Sequence, residues 1–138
     1  MVKQRFTPAE ANRTLPLVKR VVGDILATGR ELRELAPRHA EPGVRVRLSV
    51  LEATIRDLAE ELERVGCSYK DWGFELGLVD FPAVIDGQEV LLCWRSDEER
   101  LEWYHAADAG FAGRARIPPE LLREDQPAPR RRGARPGA

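Results

Sequence analysis

A chain of 138 residues, 43% apolar and 33% charged, has room for one domain with a modest core and a few appendages. Its net charge of −1 conceals an asymmetry: Arg130, Arg131, Arg132 and Arg135 lie in the last nine residues, and without them 18 basic side chains face 23 acidic ones. An acidic body argues against broad phosphate-backbone binding, which needs clustered Lys and Arg.

Thr7-Pro8-Ala9-Glu10 predicts a helix start, with Thr7 as cap, Pro8 in the first turn and Glu10 completing a capping box. Pro16 predicts an interruption, a kink or a short first turn near Asn12–Leu15. Beyond it, Leu15, Val18, Val22, Ile25, Gly29, Leu32 and Ala36 recur at spacings of three and four, a heptad-like stripe that Pro37 ends. A loop over 37–43 leads to a second helix over 46–65, with the stripe Leu48, Leu51, Ile55, Leu58, Leu62 and Val65 and with Gly66 as its left-handed end. Two long helices with a short connection predict an antiparallel hairpin, coiled-coil-like, over residues 7–66. A lone helical pair hides little of its stripe. It is therefore expected to pack on the C-terminal module, or on a second copy as a homodimer.

Cys67–Lys70 reads as a short strand and Asp71–Glu75 as a turn. Asp86-Gly87 between two apolar runs predicts a β-hairpin, since both central positions of a type I′ turn need positive φ. A two-residue loop sets the register: Val79, Phe81, Ala83, Val90, Leu92 and Trp94 share a buried face. On the mixed, partly covered face Asp80 meets Cys93, Pro82 meets Leu91, and Leu78 meets Arg95. Pro82 requires either an amide position pointing away from the ladder or a bulge. Ser96, with Glu99 three residues on, predicts a cap for a short helix carrying Glu102, Trp103, Tyr104 and His105. Gly110–Arg114 reads as a flexible loop, and Pro118-Pro119 precedes a helical turn at Glu120–Arg123. From Gln126 the composition is Pro, Ala, Arg and Gly, which predicts a disordered tail.

The chemistry-bearing residues concentrate in 77–114. On a helix, Glu98, Glu102 and His105 would share one side and fold over the Asp80–Cys93 pair. Asp80, Cys93, Glu102 and His105 are then a ligand set of the right types for zinc or iron. The plainer reading makes Cys93 a small buried hydrophobe, pairs Asp80 with Arg95 or Arg114, and leaves His105 at a helix end. A third reading, Cys93 as nucleophile with His105 as base and the Gly110–Gly113 amides as oxyanion donors, has the weakest sequence signal. Trp94, Trp103, Tyr104 and Phe111 suggest a small aromatic core or a protein contact patch. Nucleic acid attraction is confined to a weak, salt-sensitive pull by the Arg130–Arg135 tail.

No run approaches the roughly 18 apolar residues that span a bilayer. The opening MVKQRFTPAE lacks the apolar segment of a secretory leader, and the two cysteines fit no CxxC or zinc spacing. The expected setting is therefore the cytoplasm, with both thiols free.

The motifs Phe6-Thr7, Glu10-Ala11-Asn12, Leu15-Pro16-Leu17-Val18, Gly66, Lys70-Asp71, Gly77-Leu78-Val79-Asp80-Phe81-Pro82-Ala83 and Gly87 occur in one order. They continue through Leu92-Cys93-Trp94-Arg95, Glu98 or Glu99, Trp103–His105, Gly110-Phe111 and Gly113-Arg114. Over about residues 5–118 the chain resembles a bacterial family of uncharacterised proteins, domain of unknown function 2203. The family's Gly-Glu after Cys-Trp-Arg is Ser96-Asp97-Glu98 here, and its Tyr-Trp-His is Trp103-Tyr104-His105. The resemblance implies no established activity, cofactor or substrate, and marks the Asp80, Cys93, His105 region as the family's signature region.

The sequence thus predicts an α+β protein: a helical hairpin (7–66), a small β/α module (67–118) within one domain (1–125), and a tail (126–138). The candidate functional cluster is Asp80, Cys93, Arg95, His105 and Arg114. The expected role is that of an accessory or interaction protein, homodimeric through its helices. The alternative is a small zinc, iron or cysteine-dependent enzyme.

Overall fold

A computed structural model describes residues 5–123; the Arg-rich tail lies outside the described residues. Helix α1 runs over Pro8–Leu35 and a short 3-10 turn over Ala36–Arg38. Helix α2 spans Val44–Val65. Strands β1 (Ser68–Tyr69), β2 (Leu78–Ile85), β3 (Gln88–Arg95), β4 (Trp103–Ala106) and β5 (Ala115–Arg116) follow, then helix α3 at Pro119–Leu122. The fold is mixed helix and sheet. The strands make one antiparallel sheet in the order β1-β2-β3-β4-β5, a meander.

The capping box forms as the residue types require: the Thr7 hydroxyl accepts from the Glu10 amide at 3.0 Å and the Glu10 carboxylate accepts from the Thr7 amide at 2.9 Å. Pro16 does not break the helix; α1 continues through it. Gly66 ends α2 in the left-handed region at φ 118°. The α1 stripe is buried from Leu15 to Gly29, while Leu32 is half-buried and Ala36 exposed. Gly29 has a specific reason to be glycine: a Cβ there would overlap the Phe74 ring. Phe74 itself sits at φ 59° in the turn after Asp71. The Asp71 carboxylate holds that turn by accepting from the amides of Gly73, Glu75 and Leu76 at 2.9–3.1 Å.

The hairpin register is the predicted one throughout, from Ile85 opposite Gln88 to Leu78 opposite Arg95. Asp86 and Gly87 adopt φ 53° and 77°, as a type I′ turn demands. Pro82 sits in the ladder opposite Leu91 without a bulge. Its carbonyl accepts from the Phe6 amide at 2.8 Å, on the side of β2 away from β3, so the missing N–H also points away from β3.

The core joins α1, α2 and one sheet face. Val79, Phe81, Ala83, Val90, Leu92 and Trp94 pack in one cluster with Val18, Val22, Ile25, Ile55 and Leu62. Phe81 is fully enclosed and meets Phe6 edge-to-face at 5.1 Å.

The expected helix after Ser96 is absent, and an extended strand, β4, takes its place. Ser96 does not cap: its hydroxyl accepts from the Gly77 amide and its own amide donates to the Gly77 carbonyl, extending the β2–β3 pairing by one step. Glu98 closes the turn, its amide donating to Arg95 O and its carboxylate accepting from Arg95 N. The chain then pairs with β3, putting His105 opposite Leu91 and Trp103 opposite Cys93. Pairing with an available strand edge outweighed the local helix-start signal. The aromatic group also divides: Trp94 enters the helix-side core, while Trp103 and Phe111 stack on arginines across the sheet.

A buried Asp–Cys–His cluster as candidate functional site

Period-two alternation builds the site. Asp80 on β2 is opposite Cys93 on β3; Leu91, two residues back on β3, is opposite His105 on β4. Asp80, Cys93 and His105 therefore project from three adjacent strands onto the sheet face away from the helices. One ligand-type atom from each lies within 4.8 Å of the other two. All three residues are buried, at 8%, 1% and 4% exposure. This face is better covered than the mixed pattern predicts, because the 107–114 segment folds over it. A cavity of about 300 Å³ opens at the cluster, lined also by Lys70, Leu78, Ala107 and Phe111.

His105 Nε2 lies 3.5 Å from Asp80 Oδ1. On the other side of the ring, Nδ1 is 2.8 Å from the Ala106 carbonyl oxygen. A carbonyl only accepts, so Nδ1 carries a proton and donates it. Burial raises the Asp80 carboxyl above the usual carboxylate range, against the pull of His105 and Lys70. Burial, with the Asp80 charge beside it, pushes the Cys93 thiol up to about 11. Both effects disfavour a free thiolate at neutral pH.

Glu102 does not join the cluster. In a strand, residues three apart face opposite ways, so the i,i+3 relation to His105 that a helix would supply is lost. The Glu102 side chain reaches Arg116 at 3.4 Å, partly in solvent, and its carbonyl accepts from the Ile117 amide. Neither candidate arginine pairs with Asp80. Arg95 bonds Asp97 at 2.6 Å and lies over the Phe111 ring. Arg114 forks onto Glu98 at 3.2 and 2.6 Å, a largely buried bidentate pair. It stacks on Trp103 and Phe111 with centroid distances of 4.6 and 4.4 Å, and its Nη1 approaches Cys93 Sγ at 3.9 Å. Arg114 is thus the guanidinium beside the thiol, while Arg95 is engaged by Asp97 and Phe111.

Sequence reasoning missed Lys70 as a participant and brought Glu98 to the site by the wrong route. Lys70 reaches the site because β1 lies beside β2, with Ser68 opposite Asp80; the Lys70 amide donates to the Leu78 carbonyl. Glu98 serves as the Arg114 partner through a turn, not a helix. The Asn12 amide was legible only as a motif. It clamps α1 to the segment before β4, accepting from the Leu101 amide at 2.9 Å and donating to the Leu101 carbonyl at 3.0 Å.

Among the described residues no helix is long and apolar enough to cross a membrane. No solved structure matches the chain. A highly reducing polyketide synthase of Emericella nidulans is 39% identical over 64 residues, covering 46% of this chain. The chain spans about 3% of that protein's length. The model of the family described as "Uncharacterized conserved protein (DUF2203)" matches residues 4–117, the span that holds the capping box, the hairpin and the buried Asp–Cys–His face. The chain belongs to this uncharacterised family, domain of unknown function 2203, to which no reaction is assigned.

Proposed function

We propose that the protein is a cytoplasmic accessory protein that acts through contact with other chains, with a second copy of itself as the first partner. The observation that carries this reading is on α2. Val46 and Val50 sit one turn apart on its outer face, 71% and 49% exposed, and Ala53 continues the line. The two long helices form an antiparallel, coiled-coil-like hairpin in this reading. The Arg47 guanidinium bonding Glu31 at 2.9 Å through two nitrogens supports it, since these residues lie near the end of α1 and the start of α2. Leu32, Leu35 and Leu48 near the same end are only half-buried. A second hairpin laid against the outer face of α2 would complete a four-helix arrangement and cover Val46, Val50 and Ala53. Residues 1–125 act as one domain, with the core cluster tying the helices to the sheet.

Light scattering tests the proposal. The expected mass at micromolar concentration is twice the 15.6 kDa of the chain. A Val46→Glu, Val50→Glu variant is expected to give the monomer mass with an unchanged circular dichroism spectrum. A monomeric wild type at tens of micromolar would overturn the reading.

A further inference from the structure

We propose that Asp80, Cys93 and His105 hold a divalent, borderline-soft transition-metal ion, zinc foremost, with a fourth coordination position open to the cavity under the 107–114 segment. Four observations lead there.

The donors fit. A carboxylate, a thiol and an imidazole are the three side-chain types that zinc accepts, at about 2.0–2.3 Å, which places donor atoms of a tetrahedral site about 3.3–3.7 Å apart. The Asp80–His105 separation of 3.5 Å is already in that range, and the whole set lies within 4.8 Å. Bringing the widest pair from within 4.8 Å into that range takes a shift of about 1 Å.

The scaffold fits. Each donor stands on a different paired strand, β2, β3 or β4, so backbone hydrogen bonding holds the three Cα positions. The outer partners fit as well. The Nδ1–H donated to Ala106 O leaves Nε2, 3.5 Å from Asp80 Oδ1, as the ring nitrogen available to a metal. Arg114, locked by Glu98 and two aromatic rings, aims an N–H at Cys93 Sγ.

The charges balance. Asp80 has no arginine partner, because Arg95 is taken by Asp97 and Arg114 by Glu98. The charged groups that act on it are His105, at 3.5 Å, and Lys70; with His105 neutral, the buried carboxylate needs a further countercharge. A dication with one carboxylate and one thiolate is neutral overall, and the Arg114–Glu98 pair beside it is neutral too. Loading the site releases the Cys93 proton to solvent. Three protein donors with a cavity of about 300 Å³ at the fourth position leave room for water or a small exogenous donor.

The test is a titration of the full-length, tag-free chain, stripped with a chelator, with Co(II) as the probe. The expected result is one Co(II) per chain, a thiolate-to-cobalt charge-transfer band in the near ultraviolet, four-coordinate visible bands, and their loss when zinc is added. Cys93→Ser is expected to lose the charge-transfer band, Cys67→Ser to keep it, and Asp80→Asn to bind at least about tenfold more weakly. The wild-type titration stands even if a variant fails to fold. No stoichiometric binding by folded wild type would overturn the proposal and leave a plain Asp80–His105 pair. A charge-transfer band that survives in Cys93→Ser would also overturn it.

Discussion

The two faces of the β2–β3 hairpin are made by alternate residues of the same two strands, yet they meet different surroundings. The helix-side face presents Val79, Phe81, Ala83, Val90, Leu92 and Trp94, each at most 8% exposed and closed over by α1 and α2. The opposite face buries Asp80 and Cys93 almost as fully, under a loop and beside a strand that brings His105. Burial alone therefore does not separate them. On the first face burial removes apolar surface from water and stabilises the fold. On the second it desolvates polar groups, which costs stability unless a partner compensates.

The largest expected effect comes from the apolar face. Phe81→Ala removes a fully enclosed ring that stacks on Phe6 and is expected to cost about 3–5 kcal/mol in urea unfolding. A loss under 1 kcal/mol would mean that this face does not anchor the core. A smaller effect separates the two thiols. Burial pushes Cys67 from 9.0 up to about 12, with its sulfur directed at the Leu62 carbonyl. The folded state holds that proton more tightly than the unfolded chain. Its contribution is therefore complete below pH 9 and is lost as pH rises toward 12. Between pH 8 and pH 10 wild type is expected to lose about 1 kcal/mol more stability than Cys67→Ser, whose remaining fall belongs to Cys93 and other groups. An equal fall in Cys67→Ser would assign it to other groups.

Much of this contrast was legible in the residues. Asp86-Gly87 specifies the turn, the turn specifies the register, and the register sorts Val79 through Trp94 from Asp80 and Cys93. The helix limits followed from Thr7, Glu10 and Gly66, whose side chains or backbone freedom act locally. What failed was non-local. Ser96 and Glu99 have the spacing of a capping box, and nothing near them in sequence shows that the exposed edge of β3 will capture Trp103–Ala106. His105 thus reached the predicted neighbours by a different route, strand pairing instead of a helix face. The same change sends Glu102 away. The Arg114–Glu98 pair and the approach of Lys70 depend equally on tertiary placement. Pro16 does not end the first helix early for another reason: near the start of a long helix, packing of Leu15 and Val18 into the core outweighs one missing hydrogen bond.

The central claim is that one face holds the fold and the other holds an ion. Zinc-linked unfolding measures both at once, comparing wild type with Ile85→Val on the apolar face and Cys93→Ser on the polar one. With zinc at about one hundred times its dissociation constant, wild type and Ile85→Val should each gain about 2.7 kcal/mol. Cys93→Ser should gain nothing. No zinc-dependent gain in wild type, or an equal gain in Cys93→Ser, would contradict the account.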